Sequence, residues 1–240
     1  MSTQSFAQQH LYVLWADDSV AVDKMRDALM DELFVQGALL GDVERARLAV
    51  ADSDVAPAVA RRIECHAPLP DALLSLSGAS AATRTALEAR LGEQVARYAA
   101  YSVETCEPLD SQLQHPNEPG ERCFGLCQVA LLRRPATLNS ERWQSIWQDS
   151  HTQIAIETQA TFGYRQNRVL KALEATAPAV DAIVEEYFPP EAMSSDHAFY
   201  GTGGDEKVLA ERTTRLIESC ARFIDFEHID VIPMSEYRLR

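Results

Sequence analysis

The pattern that decides the fold is CFGLCQVALLRRPATLNSERWQSIWQDSHTQIAIETQATFGYRQNR, residues 123–168. Its first apolar run predicts a strand, and Pro135 prevents that strand from continuing. Asn139 or Ser140 can then cap a helix, and residues 161–170 form a returning strand. We therefore expect a strand, an amphipathic helix and a second strand in succession.

The helix of this stretch has an apolar stripe that includes one histidine. Trp143, Ile146, Trp147, His151 and Ile154 recur at helical spacing. His151 is a candidate general acid or base, because an imidazole can give or take a proton near neutral pH. A histidine on an apolar face is more often a core residue with one satisfied nitrogen, so both interpretations stay open.

The same order of elements occurs twice along the chain, and this stretch begins the second copy. Strands are predicted at residues 10–15, 45–51, 72–76 and 95–105, and again at 124–132, 161–170, 179–188 and 229–239. Residues 179–188 have a helical alternative, because Ala and Glu compete there with Val and Tyr. A helix ending at Gly37 and others at residues 80–93 and 205–222 complete two βαββαβ units. Each unit is typical of a ferredoxin-like sheet with two helices on one face.

The segment between the two units has the composition of a linker. Residues 107–121 are polar and contain three prolines and a glycine. We expect a degenerate ferredoxin-like repeat at residues 1–106, a linker at 107–121 and a second ferredoxin-like domain at 122–240. The bare faces of the two sheets can cover each other, which predicts an α+β barrel that encloses a cavity.

The composition excludes several function classes. The chain has 240 residues, with 22 Lys and Arg against 36 Asp and Glu, and its net charge of -14 argues against a nucleic-acid partner. No apolar run is long enough for a membrane span, and we expect a cytoplasmic protein with no membrane partner. The histidines are dispersed and the five cysteines form no C-x-x-C pair, so neither a metal site nor a disulfide framework is expected. No cofactor signature is present, and none is expected to bind.

Several motifs of the opening stretch occur together in a known family. Arg-Arg-Pro at 133–135 follows the first strand, Trp143 and Trp147 precede His151, and Gly-Tyr-Arg-Gln-Asn at 163–167 lies in the returning strand. This combination resembles the EthD family, as do residues 181–188 and 222–225 further along. The first half is similar to that family only in its element order, which suggests a tandem chain whose first copy has lost the motif.

The resemblance implies a dimeric α+β barrel, made either by two chains or here by the two halves of one. It implies that a hydrophobic small molecule, such as an aromatic, polyketide-like or ether compound, binds in the barrel cavity. Cofactor-independent dehydration, isomerisation or oxygenation through His151 would make the protein a lyase, an isomerase or a monooxygenase-like enzyme. A homodimer is one expected assembly. The alternative is a non-catalytic ligand-binding or accessory protein with the same barrel.

The returning strand offers further candidate site residues. Tyr164, Gln166 and Arg168 share one face, and Arg165 and Asn167 share the other with Gly163. We expect Tyr164 and Arg168 to act beside His151 on a substrate oxygen, since phenol and guanidinium groups can orient one. A solvated strand edge is the alternative, because arginines are rarely buried without a paired anion. The expected substrate-binding residues are Trp147, Gln166, Asn167, His197 and Tyr200, the last two in a loop or short helix that could cover the cavity.

Overall fold

Eight antiparallel strands close into a barrel within one chain. The computed structural model describes residues 7–240, with side chains from Gln8 onward. The strands are β1 (Ala7–Trp15), β2 (Arg45–Val50), β3 (Ala72–Ser77), β4 (Arg97–Leu109), β5 (Leu126–Leu132), β6 (Gly163–Ala172), β7 (Ala182–Phe188) and β8 (Asp230–Arg238). Their order around the barrel is β1-β3-β2-β8-β5-β7-β6-β4. A second chain is therefore not needed to close the barrel.

The strand order is the same in the two halves. In the first half it is β4-β1-β3-β2, and in the second half β8-β5-β7-β6. The halves join edge to edge, because β2 pairs with β8 and β4 pairs with β6. Residues 182–188 are a strand rather than the helical alternative, since they complete the sheet between β5 and β6.

Helices cover the outer faces of the barrel. They are α1 (Val22–Met30), α2 (Ala81–Gln94), α3 (Ser140–Gln144), α4 (Thr152–Thr158), α5 (Asp196–Phe199) and α6 (Glu206–Cys220). A π-helical segment, Ser145–His151, joins α3 to α4 without a break, and a 3-10 segment, Ser53–Arg61, follows β2. The side chains of Asn139 and Asp205 cap α3 and α6 by accepting hydrogen bonds from backbone amides, as Asn and Asp commonly do.

Side chains from all eight strands occupy the barrel interior. An apolar layer contains Leu11, Leu73, Val103, Val129 and Ile232 among other buried residues. A polar cluster, which we call the barrel cluster, consists of Glu107, Arg165, Asn167, Glu185, Tyr187 and Glu236. The sequence predicted a ligand cavity inside the barrel, but the cavity that His151 lines is not there. That cavity lies between the helices and the outer face of the sheet.

One detail of the expected organisation also differs. Strand β4 continues to Leu109, where it pairs with Tyr164, so the first residues of the predicted linker are part of the sheet. A single closed sheet thus runs through both halves. Within residues 7–240, no helix has the length and hydropathy that a membrane crossing requires.

Candidate functional site

A cavity of about 340 Å³ lies between the outer face of the second half of the sheet and the helices that cover it. We call it the outer pocket. Its volume is in the range of small-molecule sites, and most of its wall is aliphatic or aromatic. Its polar wall residues are Arg61, Gln128, His151, Gln159, Tyr164, Glu186 and Tyr200.

His151 lies at the end of the π-helical segment and faces the outer pocket. Such segments are frequent at functional sites because they displace side chains from regular helical positions. The imidazole is buried, and its Nδ1 lies 3.0 Å from the hydroxyl oxygen of Ser219 on α6. Burial, together with the nearby positive charge of Arg222, lowers the pKa of His151 to about 4. The ring is therefore neutral at physiological pH.

Trp147 and Tyr164 form a hydrogen-bonded pair in the pocket wall. The indole Nε1 of Trp147 donates to the phenol oxygen of Tyr164 over 3.1 Å, and both side chains are buried. Burial raises the pKa of Tyr164 well above its usual range, so the phenol keeps its proton. Its hydroxyl group also lies beside the side-chain amide of Gln166, and Tyr164 faces the outer pocket.

Glu186 lies on the sheet beneath the pocket, between two other polar residues. It pairs across the strands with Tyr164 on β6 and with Gln128 on β5. Its carboxyl group faces the cavity, and within residues 7–240 it has neither a hydrogen bond nor an ion pair. Desolvation alone raises the pKa of Glu186 to about 7. A carboxyl group with such a pKa can both take and give a proton at neutral pH.

Two further polar groups complete the pocket wall. Gln159 is 8% exposed, and its amide oxygen has no partner among the described residues. Arg61 comes from the first half of the chain and extends over the ring of Phe199, with its guanidinium carbon 4.3 Å from the ring centre. It bonds to the carbonyl oxygen of Ala192 and, over 3.1 Å, to Asp196. The first half therefore contributes to a pocket that lies mainly on the second half.

The structure brings four of the eight expected site residues to the outer pocket: Trp147, His151, Tyr164 and Tyr200. Gln166 is fully buried behind the pocket, where its amide nitrogen donates to Thr152 over 2.7 Å. The other three residues lie elsewhere. Alternation along β6 turns Asn167 into the barrel, where it donates to Glu185 over 2.9 Å.

Arg168 and His197 are held by other partners outside the pocket. Arg168 forms an ion pair of 2.8 Å with Glu104 on the neighbouring strand β4. His197 is partly exposed, with Nδ1 2.6 Å from the hydroxyl oxygen of Thr202 and Nε2 3.3 Å from Glu206. The expected placement of Asn167, Arg168 and His197 around one ligand thus differs from their positions in the structure.

The barrel cluster is a second concentration of ionisable groups. Cys127, Glu185 and Glu236 have potential metal-ligating atoms within 4.8 Å of one another. Arg165 already occupies this position, because its guanidinium bonds to Glu185, to the hydroxyl of Tyr187 and, over 3.3 Å, to Glu236. The cluster is therefore an internal salt-bridge network whose acidic oxygens have a protein cation.

No family model matches the chain, and no curated protein matches it in sequence. Solved structures match it in fold. An anthrone oxidase-like protein superposes with a TM-score of 0.56 at 8% identity, over 97% of this chain and 91% of that chain. The fold is that of the dimeric α+β barrel proteins, and here one chain closes the barrel.

Two other solved structures have related folds. A protein named as a monooxygenase from Fusobacterium nucleatum subsp. nucleatum gives a TM-score of 0.50 at 7% identity, over 100% of this chain and 94% of that chain. A mutant chlorite dismutase from Candidatus Nitrospira defluvii gives 0.42 at 14% identity, over 99% and 94% of the two chains, which is too low to carry an argument. At these identities the likeness concerns the fold, and function must be argued from the site.

Glu186, Arg61 and Gln159 were not among the site residues predicted from the sequence. A signal for Glu186 was present, because Glu185 and Glu186 interrupt an apolar strand and must point to opposite faces. An acidic residue on each face of a buried strand indicates that both environments are unusual. Arg61 gave no comparable signal, since it lies in a proline-containing segment remote in sequence from the rest of the pocket.

Proposed function

We propose that the protein binds a hydrophobic small molecule, such as an aromatic, polyketide-like or ether compound, in the outer pocket and catalyses cofactor-independent proton transfer. The observation that carries this proposal is the convergence of His151, Tyr164 and Glu186 on one largely apolar cavity. Largely apolar walls strengthen each polar contact inside the cavity. Dehydration, isomerisation and oxygenation of such a compound remain the reaction classes of the proposal.

The organisation expected from the sequence belongs to the same proposal. We infer that residues 1–106 and 122–240 are two ferredoxin-like repeats joined by residues 107–121, and that the second is EthD-like. The equal strand order of the two halves supports the repeats. The positions of Trp147, His151 and Tyr164 in one pocket support the assignment of the motif to the second repeat.

Ligand binding can be tested through tryptophan fluorescence with a matched pair of variants. Trp147 lines the outer pocket, whereas Trp143 is buried beside it and donates to the carbonyl oxygen of Phe223 over 2.9 Å. Naphthols, anthrones and aryl ethers should quench the fluorescence of the wild type. Trp147→Phe should remove most of this quenching and Trp143→Phe should retain it. Quenching that survives in Trp147→Phe would place the ligand elsewhere.

Catalysis is distinguished from simple binding at His151. His151→Gln should still bind the compounds that the wild type binds, and it should lose turnover of any of them that the wild type converts. A non-catalytic protein would be expected to have a pocket lined only by apolar groups, with His151 bonded to the backbone. Instead His151 bonds to a serine side chain, and Glu186 faces the same cavity.

Self-association also remains a proposal. The closed barrel requires one chain only, so a homodimer would use outer surfaces. Light scattering coupled to size-exclusion chromatography measures whether the particle has the mass of one chain or two.

A further inference from the structure

Glu186 has an environment that a purely structural carboxyl group would not be expected to have. It lies on the sheet between Tyr164 and Gln128 and faces the outer pocket without a partner among residues 7–240. Glu186 is half-buried, and nothing offsets the desolvation that raises its pKa, whereas folded proteins usually supply a hydrogen bond or counter-charge to such a carboxylate. An exception in a cavity is a candidate for chemistry.

The charged and titratable groups around Glu186 do not neutralise it. Arg61 enters from the first half but is held by Ala192 and Asp196. The other such groups in the pocket wall are His151, Tyr164, Tyr200 and Cys220, which all have pKa shifts that favour the neutral form. Glu186 is thus the group of the outer pocket whose charge can change near neutral pH, since its own pKa is raised to about 7.

The hydrogen bonding of His151 fixes what its other nitrogen presents. The buried hydroxyl of Ser219 has no acceptor other than Nδ1 of His151 among the described residues. A buried hydroxyl hydrogen needs an acceptor, so Ser219 donates to Nδ1. The neutral ring then carries its hydrogen on Nε2. This nitrogen has no hydrogen-bond partner within the described chain. His151 is therefore a hydrogen-bond donor towards the cavity.

We propose that Glu186 is the catalytic base of the outer pocket and that neutral His151 donates a hydrogen bond to the substrate, an aromatic carbonyl compound with a C–H next to its carbonyl group. This assignment rests on the proposed function and deepens it. It gives His151 the role of an electrophile rather than of the main proton carrier. The hydroxyl of Tyr164, next to Glu186 on the sheet, is a second donor for the same oxygen.

The proton transfer is balanced without an oxidant or a reductant. The Glu186 carboxylate takes the proton from the carbon beside the carbonyl group. The C–H electron pair becomes the C=C bond of an enolate, and the carbonyl π pair moves to oxygen, which His151 stabilises. The proton on Glu186 then either exchanges with solvent before one is returned to the same carbon, or passes to a conjugated carbon further along. The net result is exchange or isomerisation.

The walls of the pocket support the aromatic part of the substrate class. Trp147, Phe199, Tyr200 and Phe223 all line the cavity, and they supply flat apolar surfaces. The donors on His151 and Tyr164 suit a carbonyl or enolate oxygen. In contrast, an anionic substrate would be repelled by ionised Glu186 and would find Arg61 already paired with Asp196.

The test uses 2-tetralone, a bicyclic aromatic ketone with an acidic C–H beside its carbonyl group. Tryptophan quenching measures its binding, and NMR in D2O measures deuterium incorporation at that carbon. The wild type should accelerate the exchange above the buffer rate. Glu186→Gln should bind 2-tetralone and lose about 100-fold or more of the acceleration, as expected for removal of a general base. His151→Gln should lose about 10- to 100-fold, because Tyr164 remains as a donor.

Glu218→Gln is the matched control, because it removes the same charge from an exposed position on α6 outside the outer pocket. It should exchange 2-tetralone at the wild-type rate. Binding without accelerated exchange, or exchange that persists in Glu186→Gln, would overturn the assignment of Glu186 and leave the proposed pocket intact. Absence of binding to the wild type would contradict the proposed function itself, and the assignment with it.

Discussion

Glu185 and Glu186 are consecutive residues of β7, yet they have opposite environments. Glu185 points into the barrel, where Arg165 bonds to it and Asn167 donates to it over 2.9 Å. Glu186 points into the outer pocket, where it has no partner among the described residues. These partners hold the Glu185 carboxyl group in one position. The half-buried carboxyl group of Glu186, unpaired beside a cavity, remains available for proton transfer, so the comparison separates a structural carboxyl group from a candidate functional one.

The two regions also differ in packing. The barrel interior contains closely packed side chains from all eight strands, whereas the outer pocket leaves a cavity of about 340 Å³ under the helices. Side-chain substitutions should therefore have opposite consequences in the two places. An enlarged side chain in the barrel should mainly lower the stability, whereas one in the pocket should mainly reduce ligand binding.

The largest expected effect comes from breaking the barrel cluster. Arg165→Leu should lower the free energy of unfolding by about 3–5 kcal/mol, because Glu185, Glu236 and Glu107 lose their shared cation. Urea unfolding at pH 7 measures the loss. Arg168→Leu is the control, since its pair with Glu104 is partly exposed and should contribute no more than about 1 kcal/mol. Equal losses for the two variants would contradict the distinction.

Removing the charge of Glu186 should raise the free energy of unfolding, whereas Arg165→Leu should lower it. With a pKa raised from 4.5 to about 7, the native state keeps a proton that the unfolded chain releases as the pH rises between these values. The free energy of unfolding of the wild type therefore falls over this range, and the full cost is present above pH 7. Glu186→Gln should be more stable than the wild type by up to about 3 kcal/mol at pH 8.

The same variant gives an internal check at low pH. Near pH 4 the carboxyl group is protonated in both states, so the advantage of Glu186→Gln should disappear. Thermal or urea unfolding at pH 4 and pH 8 measures the difference. A pH-independent effect of the substitution would mean that Glu186 titrates normally in the native protein.

Enlarging one alanine in each region tests the difference in packing. Ala49 faces the barrel interior and Ala130 faces the outer pocket. Ala49→Leu should lower the free energy of unfolding by about 1–3 kcal/mol through overpacking. Ala130→Leu should change it by less than about 1 kcal/mol and should abolish fluorescence quenching by aromatic ligands. If Ala49→Leu were the variant that blocked the ligand, the ligand would bind inside the barrel.

The smallest expected effect concerns the hydrogen bond that orients His151. Ser219→Ala should cost about 1 kcal/mol, because it removes a buried hydrogen bond and leaves Nδ1 without its donor. Thr214→Ala, an exposed change on the same helix, should stay within about 0.5 kcal/mol of the wild type. Urea unfolding of both variants provides the comparison. A neutral Ser219→Ala would argue against the assigned tautomer.

Much of the fold could be predicted because its local patterns agree with its tertiary contacts. Helical spacing placed Trp147 and His151 on one face, and alternation placed Tyr164 on the opposite side of β6 from Asn167. These two rules were sufficient to bring three site residues to one surface. They could not decide which face of β6 meets the barrel interior, because apolar and polar residues occur on both faces.

The rest of the site depends on contacts that have no local pattern. The pKa of Glu186 follows from its partial desolvation by the residues packed above β7. Arg61 reaches the pocket from the other half of the chain. The predicted position of the cavity was wrong for a similar reason. An apolar sheet face in the sequence pattern indicates that another element must cover it. The amount of space left between the sheet and its helices depends on side-chain packing in three dimensions, which the pattern does not contain.

The most direct test of the central claim is the pKa of Glu186 in solution. Carbon-13 labelling of the glutamate side chains gives a titration curve for each carboxyl carbon, and Glu186→Gln identifies the signal of Glu186 by its loss. We predict a midpoint near pH 7, as expected for an unpaired carboxyl group in the outer pocket. A midpoint near 4.5 would show that Glu186 is solvated or paired, and would contradict the account.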